Sequence, residues 1–267
     1  MLLEKALTFI ILGIMIQRRR KTTSWEGVNK WYKSLVGESG HHYHKNVIFP
    51  KLIPLLGIDK KSSLLDLACG NGVLSGQLPK ETRYVGVDIS PSLINEAKKL
   101  YRERTFHVGD ITAPLPVKDT FTHAVILLAL QNLEDPVQAF RNCAKHLEKG
   151  GTLAIVLNHP CFRIPRQSEW GVDEAKKMQY RRIDRYMSEM NIPIAANPSK
   201  GEKSVSTLSF HRPLSAYVRM LAESGFAVTA LEEWCSDKES EGGRAKMENR
   251  ARDEIPLFLA IKAIKIL

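Results

Sequence analysis

The chain has 267 residues, of which 43% are hydrophobic and 25% are charged, and its net charge is +10. This length can bury a core for one or two domains, and the composition is ordinary for a soluble globular protein. The four cysteines, Cys69, Cys143, Cys161 and Cys235, form no CxxC pair. Their spacing argues against a zinc ribbon or a redox dithiol and predicts reduced thiols in a cytoplasmic protein.

The positive charge is concentrated at the front of the chain. Residues 1–61 hold eleven Lys or Arg and four Asp or Glu, an excess of +7. Such a segment could attract an acidic substrate, nucleic acid or an anionic membrane, or it could be a solvated basic arm. Residues 6–16 are apolar, but this run is shorter than the roughly 20 residues of a membrane-spanning helix. We therefore predict no transmembrane span. A weak contact with a membrane surface and a translation start at Met15, which would exclude residues 1–14, both remain open.

Apolar runs alternate with helical stretches from residue 64 onward. The runs are apolar throughout, as buried parallel strands are, and they cover 64–68, 83–88, 104–110, 123–130 and 151–157. The stretch 90–103 opens with Ser90 and Pro91, a typical helix start. The stretch 135–151 opens with Asp and Pro and closes on two glycines, which predicts a second helix ending there. Alternation of this kind predicts an α/β fold with a doubly wound, Rossmann-like sheet.

The C-terminal part follows a different pattern. Residues 212–225 predict one more helix, and 226–234 and 257–266 predict two strands with no helix of normal length between them. We expect these two strands to pair antiparallel at one edge of the sheet.

Two stretches fall outside the predicted sheet, at 22–57 and at about 158–211. A connection as long as the second usually carries function, and we expect both to form a lid over the carboxyl ends of the strands. The predicted organisation is therefore an apolar and basic extension (1–21), a helical lid segment (22–57), a cofactor-binding core (58–157), an inserted substrate lid (158–211) and a C-terminal part that completes the sheet (212–267).

A glycine turn follows the first predicted strand. Asp66 is followed by small residues at every second position, Ala68, Gly70 and Gly72. The turn approaches the fingerprint of dinucleotide-binding folds, but a carboxylate beside it would repel a diphosphate by about 1 to 4 kcal/mol at 4 Å. A ligand with positive charge near the turn is favoured instead. S-adenosylmethionine carries an ammonium and a sulfonium and has no phosphate.

Acidic residues also end the second and third apolar runs. Asp88, followed by Ile89, could accept both hydroxyls of a ribose while Ile89 covers one face of an adenine. Asp110, followed by Ile111, could accept from the adenine amino group. Each aspartate alone could equally be a helix cap or a turn residue. Three acids at three strand ends are a stronger signal than any one motif.

The segments LLDLACGNG, YVGVDIS, FHVGDITAPLPVKDTFTHAVILLALQNLEDP and LEKGGTLAIV resemble class I S-adenosylmethionine-dependent methyltransferases, and most closely the small-molecule branch of the ubiquinone and menaquinone methylases. The resemblance is close over 64–157 and loose over 211–265. It implies a seven-stranded sheet with a final antiparallel strand and S-adenosylmethionine as cofactor. It also implies that Asp66, Ala68, Gly70 and Gly72 contact the methionine half, that Asp88 and Ile89 hold the ribose and adenine, and that Asp110 and Ile111 hold the adenine edge.

The sequence departs from this family beside the expected position of the methyl group. Gln131 and Asn132 replace a frequent pair of histidines, so the quinone substrate is not transferred and both residues become candidate substrate contacts. His159, directly after the fifth predicted strand, and His44, in the N-terminal lid segment, are candidate general bases, although each could be an ordinary hydrogen-bonded histidine. Tyr32 and Tyr43 could line a pocket for a flat acceptor or pack the lid. No metal is expected, because His41, His42 and His44 lie within four residues with no carboxylate nearby.

The function predicted from these residues is methyl transfer to a small-molecule acceptor by in-line displacement, with an acceptor that could be acidic or aromatic. An RNA or protein methyltransferase that uses the basic N-terminal segment is the alternative, so nucleic acid remains open as a partner. A binding protein that keeps the cofactor fold without catalysis is a third reading, and the intact acids at three strand ends weigh against it.

Overall fold

A computed structural model of the chain describes residues 40–195 and 206–267. It contains eleven strands within these ranges: β1 (Ser63–Leu67), β2 (Arg83–Asp88), β3 (Thr105–Val108), β4 (Phe121–Leu127), β5 (Leu147–Asn158), β6 (Ser168–Asp173), β7 (Met178–Ile183), β8 (Met190–Ala195), β9 (Ser206–His211), β10 (Phe226–Trp234) and β11 (Phe258–Lys265). Five α-helices lie between them: α1 (Phe49–Leu56), α2 (Pro91–Leu100), α3 (Pro136–His146), α4 (Leu214–Glu223) and α5 (Ala245–Glu254).

Seven strands form one sheet in the order β10-β11-β5-β4-β1-β2-β3. The pairs from β5 to β3 are parallel, and β11 runs antiparallel to both of its neighbours. This confirms the predicted Rossmann-like α/β fold with a final antiparallel strand. It also confirms the antiparallel pairing of the last two strands, of which β10 is the edge strand.

The central strands of the sheet are buried on both faces. Every residue of β1 is buried, and its side chains alternate between two apolar clusters, with Leu65 and Leu67 in one and Leu64 in the other. A strand that contacts apolar layers on both sides has no position for a solvated side chain, which is why the strand segments are mainly apolar.

Two predicted helix starts are confirmed in atomic detail. The Ser90 hydroxyl accepts from the backbone N–H of Leu93, and the Asp135 carboxylate accepts from that of Gln138. The predicted end of the second helix is wrong. The helix α3 ends at His146, and Gly150 lies inside β5 with φ 77°, where the pairing register between β4 and β5 shifts.

A second prediction is also wrong. The helix α5, ten residues long, lies between β10 and β11, where we expected no helix of normal length. Its sequence, AKMENRARDE, buries only Met247 and Ala251, so the apolar periodicity that reveals an amphipathic helix is weak.

The inserted segment after β5 forms two antiparallel hairpins, β6 with β7 and β8 with β9. The first three residues of the sequence RRIDRY (181–186) end β7. Of the predicted N-terminal lid segment (22–57), residues 40–57 are among those that the structure describes. There a π-helical turn at His44–Ile48 leads into α1.

The strand order indicates at which edge of the sheet a ligand is expected to bind. The chain goes from β1 to β2 and β3 on one side and then to β4 and β5 on the other, so the direction of winding reverses between β1 and β4. Ligands of open α/β sheets bind at such a reversal, outside the carboxyl ends of the strands. In the part of the chain that the structure describes, no helix has the length and apolar character needed to cross a membrane.

Candidate active site

The turn after β1 explains the small residues at alternate positions. Ala68, Gly70 and Gly72 all have positive φ angles, of 62°, 57° and 78°. Glycine adopts this left-handed backbone without steric cost, and alanine is the smallest residue that tolerates it. The alternation in the sequence is therefore an alternation of backbone conformation, which bends the chain sharply at the carboxyl end of β1.

The N–H groups of this turn are bonded to the end of β2. The carbonyl of Val87 accepts from Ala68 at 2.7 Å and from Cys69 at 3.1 Å, and Oδ2 of Asp88 accepts from Gly70 at 2.9 Å. Oδ1 of Asp88 accepts from the N–H of Ser90 at 2.8 Å. In phosphate-binding loops such N–H groups point at the ligand. Here three of them are already used, so the turn is unsuited to a diphosphate and suited to a cofactor that has none.

Gly72 is also required by close packing. A Cβ atom built on Gly72 would lie 2.7 Å from Cε1 of Phe106 in β3, a distance that real Cβ atoms do not show. Phe106 is 2% exposed and packs edge-on against the ring of Tyr84 at 5.5 Å. The glycine thus allows the turn to lie directly against β3.

Asp66 is not placed as the sequence suggested. The strand ends at Leu67, and the Asp66 side chain is only 2% exposed. Its Oδ2 accepts from the Tyr84 hydroxyl at 2.7 Å, and its Oδ1 has no hydrogen-bond partner among the described residues. Burial raises the pKa of this carboxyl to about 7, against the hydrogen bond from Tyr84, which lowers it. The repulsion between Asp66 and a diphosphate is therefore weaker than the sequence argument assumed. The bonded N–H groups of the turn supply the better reason against a diphosphate.

The buried carboxyl makes stability depend on pH. Because its pKa is about 7 in the folded state and near 3.8 when unfolded, the folded protein holds a proton that the unfolded chain releases between these values. The contribution of the Asp66 carboxyl to the free energy of unfolding is fully present below pH 4. It decreases as the pH rises to 7, by up to about 1.4 kcal/mol per pH unit. We expect Asp66→Asn, which keeps an acceptor for Tyr84, to lose this slope in urea unfolding measured at pH 5, 6 and 7. Equal slopes in variant and wild type would contradict the placement.

The residues predicted to hold ribose and adenine lie at the ends of β2 and β3. Ile89 is 47% exposed, an unusual exposure for a large apolar side chain, and it directly follows Asp88. Asp110 is exposed, and its Oδ1 accepts from both the N–H and the hydroxyl of Thr112. Ile111, expected with Asp110 at the adenine edge, is 4% exposed, and its side chain packs in the core.

The loop after β4 is strained and tied to the rest of the chain. Leu128, the residue after the strand, has φ 52°, and its carbonyl accepts from the Gln131 amide at 2.7 Å. Gln131 and Asn132 lie in a single 3₁₀ turn, Leu130–Asn132. Left-handed backbone at a non-glycine residue costs on the order of 1–3 kcal/mol and is concentrated at functional sites. This strain, which the sequence does not reveal, supports the prediction that the methyl acceptor binds beside this loop.

The side chain of Arg212 is hydrogen-bonded to the same loop. Its guanidinium is 7% exposed and donates to the carbonyls of Leu133, at 3.1 Å, and Glu134, at 2.7 Å. Because Arg212 directly follows β9, it links the second hairpin of the insertion to the loop after β4. Sequence reasoning missed this residue, since nothing in FHRPLS shows which carbonyls an arginine will meet.

The two candidate bases are buried in bonded positions. Nε2 of His159 lies 2.6 Å from Oε1 of Glu233, its Nδ1 accepts from the N–H of Cys161 at 3.2 Å, and the residue is 1% exposed. His44 is 8% exposed, stacks on Phe49, and its Nδ1 accepts from the N–H of His41 at 3.1 Å. Burial, with a smaller contribution from His41, lowers the pKa of His44 to about 4. Both ring nitrogens of His159 therefore have partners, and His44 is bonded to the His41 backbone through Nδ1.

Of the two tyrosines, Tyr43 lies at the start of the described chain and Tyr32 lies outside the described residues. The Tyr43 ring packs edge-on against Phe258 at 5.7 Å, and its hydroxyl lies 3.2 Å from Oγ of Ser236. It therefore stands beside the start of β11 and the loop after β10. Within residues 40–195 and 206–267, no group of three or more His, Cys, Asp or Glu side chains could hold a metal ion.

A cleft of about 370 Å³ lies elsewhere, between residues 75–80 of the connection from β1 to β2 and the end of α2. Lys80, Lys99, Arg102 and Arg104 are among its lining residues. The Arg104 guanidinium donates to the backbone carbonyls of Ser75, Leu78, Pro79, Lys80 and Thr82. The charge of Arg104 thus stabilises the connection between β1 and β2. The residues that line the cleft include none of those predicted to bind the cofactor.

Comparison with known proteins agrees with this geometry. The family described as "Methyltransferase domain" matches residues 65–155. A ubiquinone biosynthesis O-methyltransferase of Coxiella burnetii is 32% identical over 99 residues, which are 35% of this chain and 42% of that relative. An uncharacterized methyltransferase of Mycobacterium bovis is 30% identical over 117 residues, 42% of this chain and 57% of that protein. The chain thus matches about half of the length of these relatives.

A solved structure extends the likeness to most of the fold. The S-adenosylmethionine dependent methyltransferase from Mesorhizobium loti superposes with a TM-score of 0.63 at 24% identity, covering 80% of this chain and 96% of that one. At this identity the superposition shows the fold alone. Residues 65–155 thus match the family described as "Methyltransferase domain", and the chain has the fold of a solved S-adenosylmethionine dependent methyltransferase.

Proposed function

We propose that the protein transfers a methyl group from S-adenosylmethionine to a small-molecule acceptor. The observation that carries the cofactor part is the turn after β1, whose N–H groups close on Val87 and Asp88 instead of facing a ligand phosphate. When bound, this cofactor supplies a methyl group on a sulfonium that is already activated for displacement. The protein has to bind it, align the acceptor and exclude water.

The proposed cofactor contacts follow the strand order. Oδ2 of Asp88 accepts from the N–H of Gly70 and Oδ1 from that of Ser90, which fixes the plane of the carboxylate, and a carboxylate held in this plane can accept from ribose hydroxyls. The exposed Ile89 covers one face of the adenine, and the exposed Asp110 accepts from its amino edge. The backbone of Ala68, Gly70 and Gly72 lies against the methionine half. Asp66 acts through Tyr84 and the turn rather than by direct contact.

A small acceptor is favoured by how the insertion is attached. Its second hairpin ends at Arg212, which is bonded to the loop after β4, and Nε2 of His211 lies 2.7 Å from the carbonyl of Tyr186. These bonds hold the hairpins against the acceptor side of the sheet. We propose that they form the lid of a closed pocket, with Gln131 and Asn132 as acceptor contacts. Because both ring nitrogens of His159 are bonded and burial lowers the pKa of His44 to about 4, which makes it a weak base, the proposal assigns neither as a general base.

The test is a transfer assay with a labelled methyl group. The full chain, labelled S-adenosylmethionine and fractionated cell extract are incubated after treatment of the extract with ribonuclease or protease. We expect label in the low-molecular-weight filtrate under both treatments, and none with Asp88→Ala. Label found only in macromolecules, and lost after ribonuclease or protease, would replace the small acceptor by RNA or protein.

A further inference from the structure

The loop after β4 is attached to other elements at both of its ends. At its start, the N–H of Leu128 donates to the carbonyl of Val156 in β5 at 2.7 Å. At its end, the guanidinium of Arg212 donates to two successive backbone carbonyls. The candidate acceptor contacts, Gln131 and Asn132, lie between these two attachments.

The loop has a conformation that its own contacts do not favour. The backbone of Leu128 has φ 52°, in the left-handed region. The amide of Gln131 donates to the carbonyl of Leu128 at 2.7 Å, and its Oε1 is buried without a hydrogen-bond partner among the described residues. Strained backbone persists only where the surrounding structure imposes it, and a buried unsatisfied acceptor is equally unfavourable. The geometry of the loop therefore points to a restraint from outside it.

Arg212 has the geometry of such a restraint. Its side chain is buried, with Cζ 5.5 Å from the centroid of the Phe210 ring and Nε 4.0 Å from Oε2 of Glu189. A buried cation has to keep its hydrogen bonds, because losing them would leave the charge without solvation. The planar guanidinium donates to the two carbonyls at 3.1 and 2.7 Å and so fixes the orientation of both peptide groups.

Arg212 also connects the loop to the insertion. It directly follows β9, which pairs with β8 and lies against the 3₁₀ turn that carries Gln131 and Asn132. The preceding residue, His211, is bonded as well, with its Nε2 2.7 Å from the carbonyl of Tyr186. Loops are more mobile than paired strands, so the hairpin determines where the loop lies.

We propose that Arg212 is a positioning residue for the methyl acceptor. It holds the loop after β4 in its strained conformation and thereby sets the positions of Gln131 and Asn132. It acts through the loop backbone and leaves the cofactor side unchanged, because Asp88 and the turn after β1 are bonded to each other. This assignment rests on the proposed function and makes Arg212 a determinant of affinity for the acceptor.

The test is transfer of a labelled methyl group by the full chain at saturating S-adenosylmethionine. The acceptor is a dilution series of the low-molecular-weight filtrate of cell extract, which gives the maximal rate and the half-saturating filtrate concentration. We expect Arg212→Gln to raise the half-saturating concentration at least tenfold, because the loop relaxes. Arg212→Lys keeps the charge but lacks the planar pair of donors, and should raise it several-fold. Both variants should bind S-adenosylhomocysteine within twofold of wild type.

Arg104→Gln is the matched control. Arg104 also donates to successive backbone carbonyls, those of Leu78 and Pro79, but in the connection between β1 and β2. Its variant should keep the half-saturating concentration of wild type even where stability and maximal rate fall. A purely structural role of Arg212 would likewise lower only the maximal rate, through loss of folded protein. Equal half-saturating concentrations in Arg212→Gln and Arg104→Gln therefore overturn the proposal.

Hydrogen exchange measures the restraint without an acceptor. The N–H of Asn132 donates to the carbonyl of Ala129 at 2.8 Å within the loop. In Arg212→Lys, which keeps the buried charge, we expect this N–H to exchange at least tenfold faster than in wild type, with unchanged exchange in β1. An unchanged rate at Asn132 would show that Arg212 does not restrain the loop and would overturn the proposal.

Failure of this role can be separated from failure of the proposed function. Wild type that transfers label to the filtrate, with wild-type half-saturation in both Arg212 variants, overturns the positioning role alone. Wild type that transfers no label to the filtrate overturns the proposed function and with it the acceptor role of Arg212. The exchange rate of Asn132 then still decides whether Arg212 restrains the loop.

Discussion

Asp88→Ala is expected to lose S-adenosylhomocysteine affinity by about 100-fold or more. The carboxylate would offer two charge-assisted hydrogen bonds to the ribose, each worth about 1.5–3 kcal/mol, and every 1.4 kcal/mol is tenfold in affinity. The same oxygens fix the N–H groups of Gly70 and Ser90, so the substitution also loosens the turn that carries the methionine half. Calorimetric titration of the purified variant measures the loss.

The control for this variant has to lose a bonded carboxylate without touching the site. Asp59→Ala meets that need, because Oδ1 of Asp59 accepts from the N–H of Lys61 and the hydroxyl of Ser62 before β1 begins, at the opposite end of that strand. We expect near wild-type affinity from Asp59→Ala. Asp88→Asn, which keeps the shape of the side chain, should remain folded and bind weakly. Wild-type affinity in a folded Asp88→Ala variant would remove Asp88 from the cofactor site.

Gly72→Ala is expected to destabilise the protein by about 2–5 kcal/mol. Two costs add here. Left-handed backbone costs alanine about 1–2 kcal/mol, and inserting a methyl into a well-packed core costs typically about 1–3 kcal/mol. The clash is with the ring of Phe106, 2.7 Å from the added Cβ, and that ring is held between buried neighbours and cannot swing away. Urea unfolding gives the free energy directly.

Gly150→Ala separates the two costs. Gly150 has φ 77°, nearly the 78° of Gly72, but a Cβ built there meets nothing within 4 Å among the described residues. We therefore expect Gly150→Ala to show only the backbone cost, about 1–2 kcal/mol, with unchanged S-adenosylhomocysteine binding. Equal destabilisation by the two substitutions would show that Phe106 does not constrain the turn.

The sheet could be predicted because its strands are buried on both faces. Runs such as LLDLA and RYVGVD are mainly apolar, and the prolines after Ser90 and Asp135 mark helix starts that the structure confirms. The helix α5 could not be predicted in this way, since a mostly exposed helix needs few apolar residues. The end of α3 was misplaced because glycines serve equally well at a helix end and inside a bent strand.

The candidate site was predictable in its residues but not in their contacts. The sequence shows an aspartate near the end of β1, whereas only the fold shows that Tyr84 takes one of its oxygens and that burial raises its pKa to about 7. Similarly, the small residues at 68, 70 and 72 suggested close approach of a ligand, and the structure adds positive φ angles and N–H groups bonded to β2. Partners distant in sequence decide these contacts, so local pattern cannot reveal them.

Titration of the wild-type chain with S-adenosylhomocysteine and with NAD measures most directly whether the turn is made for a cofactor without a diphosphate. The bonds from Ala68, Cys69 and Gly70 to Val87 and Asp88 predict binding of S-adenosylhomocysteine and no uptake of NAD. Tight binding of NAD, with none of S-adenosylhomocysteine, would contradict the account.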